Sequence, residues 1–302
     1  MRPITIMLPD ESVTIIGIMH FVHGMQEHRK RYTHVLEYFT GLGYICAISD
    51  LRGHGENVAS ADDLGYFSGV GMSGLINDLH NFNSYLKKIY PNLPIILIGH
   101  SMGSLIVRCY LKKHSREVSA VILSGSPSHN GAAVFGKFLI NFMALFRGWR
   151  YRSEFCTNLV TGSFNKPFKN EGIKNAFLSR DGEVIDKYNR DPLCGFPFTL
   201  DGYKTLMSLM MYTYSKDGWK NVNKSLPIMF ISGSDDSCRI NDSKWQAAVN
   251  NLKSVGFSDI YSKMYPGMRH EIFNEIGKEE VFSDMTKFLE ISLGIDHEED
   301  FI

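Results

Sequence analysis

The sequence predicts an α/β fold in which a mostly parallel central sheet is flanked by helices and interrupted by a helical insertion. Three observations carry this. Short β-branched and apolar runs recur along the chain, amphipathic helical stretches separate them, and the alternation stops between residues 127 and 222.

The strand runs are 14–21, 44–49, 95–98, 118–123, 227–232 and 260–264. Several are apolar on consecutive positions, as strands covered on both faces must be. The helices follow from the 3.6-residue period. Residues 72–90 place Leu75, Ile76, Leu79, Phe82 and Leu86 on one side, and 104–113 do the same with Leu105, Ile106, Cys109 and Tyr110. The last helix uses Val281, Phe282, Met285, Phe288, Leu289 and Leu293, and Gly294 is its stop signal. Beyond it the acidic tail is expected to fray. The chain thus divides into a first core part (1–126), a helical cap (127–222), a second core part (223–295) and the tail (296–302).

Composition excludes several functions. Lys+Arg and Asp+Glu balance at 32 each, so no polyanionic partner and no nucleic acid is expected. No G-x-G-x-x-G or phosphate loop is present, so no nucleotide cofactor is expected either. The apolar run 4–8 ends at Pro9-Asp10-Glu11, too short for an export leader. No run approaches the roughly 20 apolar residues that span a bilayer. Five scattered cysteines (Cys46, Cys109, Cys156, Cys194, Cys238), odd in number and without CxxC pairs, predict reduced thiols and a cytoplasmic location.

Gly99-His100-Ser101-Met102-Gly103 is G-x-S-x-G, and it lies between an apolar strand and a helical run. A serine at such a strand-to-helix turn is held in strained geometry with its hydroxyl exposed, and the helix N-terminus directs free N–H groups at the reacting oxygen. This pattern matches the nucleophile elbow of the α/β-hydrolase fold, in which acid and then histidine follow the serine along the chain. Four histidines follow Ser101. His114 belongs to the next helix, His129 opens the insertion and His297 sits in the tail, which leaves His270 as the base. The acid should leave the strand before it, where Gly233-Ser234-Asp235-Asp236 offers two carboxylates. Asp236 is the better placed and Asp235 the alternative, one of the two being a turn or capping residue.

Acyl transfer needs two backbone N–H donors for the oxyanion. Met102, the residue after the nucleophile, supplies one, and Met25 in the loop 21–25 the other, with Gly24 allowing close approach. His23, Glu27 and His28 match neither H-E-x-x-H nor H-x-x-E-H, so they are read as loop-ordering residues and no metal is expected. The stretch Asp50-Leu51-Arg52-Gly53-His54-Gly55 lies at another strand end, where Asp50 and Arg52 are expected to hold the rim loops together.

Residues 132–146 carry apolar side chains around nearly the whole helical circumference, with Lys137 the only charge before Arg147. Either the helix is buried in the cap, or it forms an apolar lip that admits an acyl chain or rests transiently on a membrane surface. Phe138 and Phe142 here, with Met207 and Met210 further on, are the candidate substrate-binding residues; methionines adapt well to an acyl chain.

These motifs together resemble one family. His23–His28 with Arg31 and Tyr32, Asp50–Gly55, Gly99–Gly103, Arg190–Phe196, Gly233–Asp236 and Tyr265–Glu271 are similar to the monoacylglycerol lipase and lysophospholipase-like, serine aminopeptidase-like branch of α/β hydrolases, in its bacterial members. The resemblance covers about residues 15–293 and favours Asp236 over Asp235. It implies hydrolysis of small-molecule or lipid esters without a cofactor. The residues before 14 leave little room for the first strands that family has. Rival functions are a short-chain carboxylesterase, an aminopeptidase-like enzyme, and a non-catalytic binding protein on the same fold.

Overall fold

The computed structural model describes residues 3–220 and 222–294; the tail and His297 lie outside them. In chain order the first half contains β1 (Ile4–Met7), β2 (Gly17–Val22), α1 (Thr33–Gly41), β3 (Tyr44–Ser49), α2 (Gly71–Ile89), β4 (Ile95–His100), α3 (Met102–His114) and β5 (Ala120–Ser124). Then come α4 (Ala132–Arg147), α5 (Glu154–Val160), α6 (Gly182–Arg190) and α7 (Leu200–Tyr214), with no strand among the described residues between β5 and the next sheet element. The chain returns to the sheet with β6 (Ile228–Gly233), α8 (Asp242–Ser254), β7 (Ile260–Tyr265) and α9 (Lys278–Leu293).

The strands form one sheet in the order β1-β3-β2-β4-β5-β6-β7. Only β1 is antiparallel, its Ile4 opposite Ser49. The sequence pattern missed this strand because four residues ending at Pro9 show too little alternation, so the N-terminal segment does contribute to the sheet. Successive side chains of each strand serve opposite faces. Ile18, Ile45, Leu97, Val121 and Phe230 pack under α3, α7 and α8. Met19, Cys46, Ile96, Ile122 and Met229 pack against α1 and α9. Parallel strands point their C-terminal ends at one rim, and the loops leaving β2, β3, β4, β6 and β7 meet there.

Candidate active site

Ser101 joins β4 to α3 with φ 51° and ψ −121°, a conformation that L-residues rarely adopt. Its N–H donates to Ser124 O at 2.9 Å, which fixes the turn against β5. The turn is so tight that a Cβ on Gly103 would lie 2.1 Å from Val22 O, and one on Gly99 2.8 Å from Gly103 O. Glycine is required at both positions for contact rather than for dihedral freedom.

Asp236 and His270 approach from the ends of β6 and β7. The Ser101 hydroxyl lies 2.8 Å from His270 Nε2, and His270 Nδ1 lies 2.9 Å from Asp236 Oδ1. Asp236 is buried and also accepts from Cys238 N (2.8 Å) and Ser232 Oγ (3.1 Å), so both of its oxygens have donors. Burial raises its carboxyl pKa, but His270 and these hydrogen bonds outweigh that and hold it below the usual range. For His270, burial favours the neutral ring, yet the Asp236 carboxylate prevails and the pKa is raised. Asp235 is exposed and takes the turn role, its carboxylate accepting from Ser234 Oγ.

The loop after β2 is organised by buried charge. Glu27 accepts from Gly24 N (2.6 Å) and Tyr32 OH (3.0 Å), and pairs with Arg31 at 2.8 Å. Arg31 in turn grips Glu271 through two bonds of 2.6 Å and lies 4.8 Å from the centre of the Tyr188 ring. A Cβ on Gly24 would meet Ser101 Cβ at 3.1 Å and Glu27 Oε1 at 2.8 Å, so this loop runs directly against Ser101. His23 accepts from Leu51 N through Nε2, which leaves its Nδ1–H to donate to Gly24 O. His28 pairs with Asp191, between α6 and α7. Asp50 and Arg52 each tie this loop to a different neighbour: Asp50 receives Arg29 from the loop after β2, while Arg52 bonds Asp78 on α2. Sequence reasoning missed Arg31 and Glu271 as organisers of the site; charged residues inside two glycine-marked rim loops were the only signal.

A cavity of about 240 Å³ opens onto Ser101. Gly24, Met25, Met102 and His270 line the end at Ser101, and Ile140, Leu159, Val160, Leu206, Met207 and Met210 line much of the rest. Two of the four proposed pocket residues are therefore misplaced. Phe138 and Phe142 point to solvent, 67% and 53% exposed. The cause lies on the other stripe of α4, where Ala133, Gly136, Ile140 and Ala144 let the helix approach α7 closely and send the bulky side chains outward. A Cβ on Gly136 would touch Met207 Sδ at 3.5 Å. The apolar residues of α4 are thus divided between a packed stripe of small residues and an exposed stripe of Val134, Phe135, Phe138, Phe142, Leu145 and Phe146.

A family model described as serine aminopeptidase, S33, matches residues 14–277. The chain belongs to that family. Similar proteins include a monoacylglycerol lipase of Mycolicibacterium smegmatis, 26% identical over 273 residues, covering 90% of this chain and 88% of the relative. The phospholipase YtpA of Bacillus subtilis is 23% identical, with 92% and 96% covered. Among solved structures, a thermostable carboxyl esterase from Bacillus coagulans in complex with glycerol superposes with a TM-score of 0.88 at 26% identity, over 96% of this chain and 94% of that one. A monoglyceride lipase from Saccharomyces cerevisiae in complex with a substrate analogue shares the fold, with a TM-score of 0.74 at 23% identity, over 96% and 91%. The family, these neighbours and the sheet topology place the chain in the α/β-hydrolase fold.

Proposed function

We propose that this chain hydrolyses monoacylglycerols and related single-chain lipid esters through an acyl-enzyme. The observation that carries the reading is the hydrogen-bonded series Ser101–His270–Asp236 opening into a cavity lined mostly by aliphatic side chains. His270 Nε2 takes the Ser101 proton as Oγ attacks the ester carbon. The negative oxygen that forms meets the main-chain N–H groups of Met25 and Met102, each such donor being worth about 3–4 kcal/mol in the transition state. His270 then gives its proton to the departing alcohol. Water attacks the acyl-enzyme with the same base, releasing the fatty acid and restoring Ser101. Asp236 keeps the imidazole in the required tautomer and stabilises its cation.

The relatives' names support a lipid ester over a short one, and so does the outer face of α4. No helix of the described residues is long and apolar enough to cross a membrane. The exposed Phe135, Phe138, Phe142 and Phe146 instead suit a transient contact with a lipid surface, burying one helix face in it. All five cysteines are free and buried, which fits a cytoplasmic location.

The test is a hydrolysis panel of p-nitrophenyl esters, monoacylglycerols, lysophospholipids and aminoacyl amides, run with wild type and Ser101→Ala. Monoacylglycerol is expected to be cleaved best, and the alanine variant to lose about 10⁶-fold in kcat with its fold intact. Amide cleavage above ester cleavage, or an active alanine variant, would overturn the proposal.

A further inference from the structure

At the end of α3 opposite Ser101, three side chains with metal-ligand chemistry converge outside the site described above. They are His80 on α2, His114 closing α3, and Glu117 in the turn before β5. Their ligand atoms all lie within 4.8 Å of one another. The 13 residues of α3 put the cluster about 20 Å from Ser101.

The carboxylate is shared unequally. Glu117 Oε1 accepts from His114 Nδ1 at 2.6 Å, and Oε2 accepts from the Tyr110 hydroxyl at 2.9 Å. His80 Nδ1 lies 3.2 Å from Oε2 but forms no hydrogen bond, and it is shielded from water. The two imidazoles stack with centroids 4.2 Å apart, and Tyr110 stacks on the far side of His114 at 4.7 Å. One buried ring nitrogen is therefore left unsatisfied beside a carboxylate and a second imidazole.

We propose that His80, His114 and Glu117 form a binding site for a divalent cation of the zinc type. Two imidazole nitrogens and one carboxylate oxygen are a donor set that zinc takes at about 2.0–2.2 Å, with the fourth position left for water. His80 and Glu117 side chains are 36% and 37% exposed, so that position faces solvent. Binding requires the stacked imidazoles to turn so that a lone pair of each ring aims at the ion, and it gives the buried His80 Nδ1, which makes no hydrogen bond, a full electron-pair acceptor. The Tyr110 hydroxyl holds the carboxylate from behind, the role an outer partner plays in metal sites. Lys87 and Lys88 border the same depression and oppose cation binding, which argues for an affinity short of the tightest structural sites. Two other clusters of possible ligands are less suited. His28, Asp191 and Cys194 lie beside the Arg31 cation, and Asp236, Cys238 and His270 include the reacting groups. The bound ion clips α2 to the end of α3, and its effect is on stability by mass action.

The experiment uses the full chain stripped with chelator, then dialysed against ZnCl₂ at about 50 µM, with bound zinc counted by elemental analysis and Tm recorded with and without the ion. One equivalent and a rise of a few degrees are expected. Both should be lost in His80→Ala and His114→Ala and weakened in Glu117→Gln, while His270→Ala keeps them. Zinc-free ester hydrolysis by the His80 and His114 variants should match wild type, which shows that they fold. Wild type that takes up no zinc, or His80 and His114 variants that retain the full equivalent, would overturn the site.

Discussion

Arg31 holds Glu271, 240 positions further along the chain, through two parallel bonds of 2.6 Å, and Glu271 directly follows His270. The same guanidinium reaches Glu27, whose other oxygen holds the Gly24 N–H beside Ser101. One buried cation thus sets the spacing between the loop of Gly24 and Met25 and the loop that carries His270.

Arg31→Met should cost about 3–5 kcal/mol of stability, because two buried carboxylates lose their counter-charge. Arg31→Lys keeps the charge but loses the fork. It is expected to lower kcat about 10–100-fold through misplacement of the loops, with a smaller loss of stability. Urea melts and steady-state kinetics on both variants check this; wild-type kcat in the lysine variant would contradict it.

The two neighbouring aspartates should separate cleanly. Asp236→Asn removes the acceptor that fixes the His270 tautomer, and kcat is expected to drop about 10⁴-fold. Asp235→Asn, at an exposed turn, should stay within about twofold of wild type. The pH profile carries the same information. Since Asp236 raises the His270 pKa, the active neutral ring accumulates only as pH climbs past a midpoint above 6.5. Activity therefore rises with pH through that midpoint, and a flat profile from pH 5 to 8 would rule out a histidine base.

Chain-length selectivity should reside in α7 and not in the outer stripe of α4. Met207→Trp or Met210→Trp places a ring in the cavity and is expected to shift preference towards short acyl chains. Phe138→Ser with Phe142→Ser should leave kcat/KM on soluble short esters unchanged while reducing sedimentation with phospholipid vesicles. Equal vesicle binding by the serine variant would remove the lipid-surface role of α4.

Acid should destabilise the fold before the carboxylates titrate. Burial lowers the pKa values of His20 and His100 to about 4 and that of His54 to about 3. An unfolded histidine takes a proton near pH 6.5 while these stay neutral in the fold, so stability falls as pH drops from about 6.5 towards 4. Each contributes up to about 1.4 kcal/mol per pH unit. For Glu27, burial is outweighed by Arg31 and nearby histidines, which lower its pKa to about 2, so it adds a further loss below about 4.5. Urea unfolding between pH 7.5 and 4.5 measures the slope, and His20→Asn should make it shallower.

The turn at Ser101 was legible in the sequence because it is local: strand, glycine, serine, glycine and helix are consecutive. Asp236 and His270 followed from chain order and elimination, although their directions needed coordinates. The stripe of α4 that faces the cavity was illegible, because apolar residues cover both sides and only the small ones reveal the packed face. The bond from Arg31 to Glu271 was illegible for another reason: no local period reports a contact between such distant positions. The first strand escaped because an edge strand of four residues is barely longer than noise.

The main chain of the insertion is stitched to the base loop, with His270 N donating to Phe177 O and Glu271 N to Leu178 O. The insertion is therefore not a passive roof. Exchanging it for a segment from another hydrolase would have to recreate those two bonds, or the histidine would lose part of its mooring. Any movement of the segment that carries Phe177 and Leu178 would therefore also pull on the main chain at His270 and Glu271.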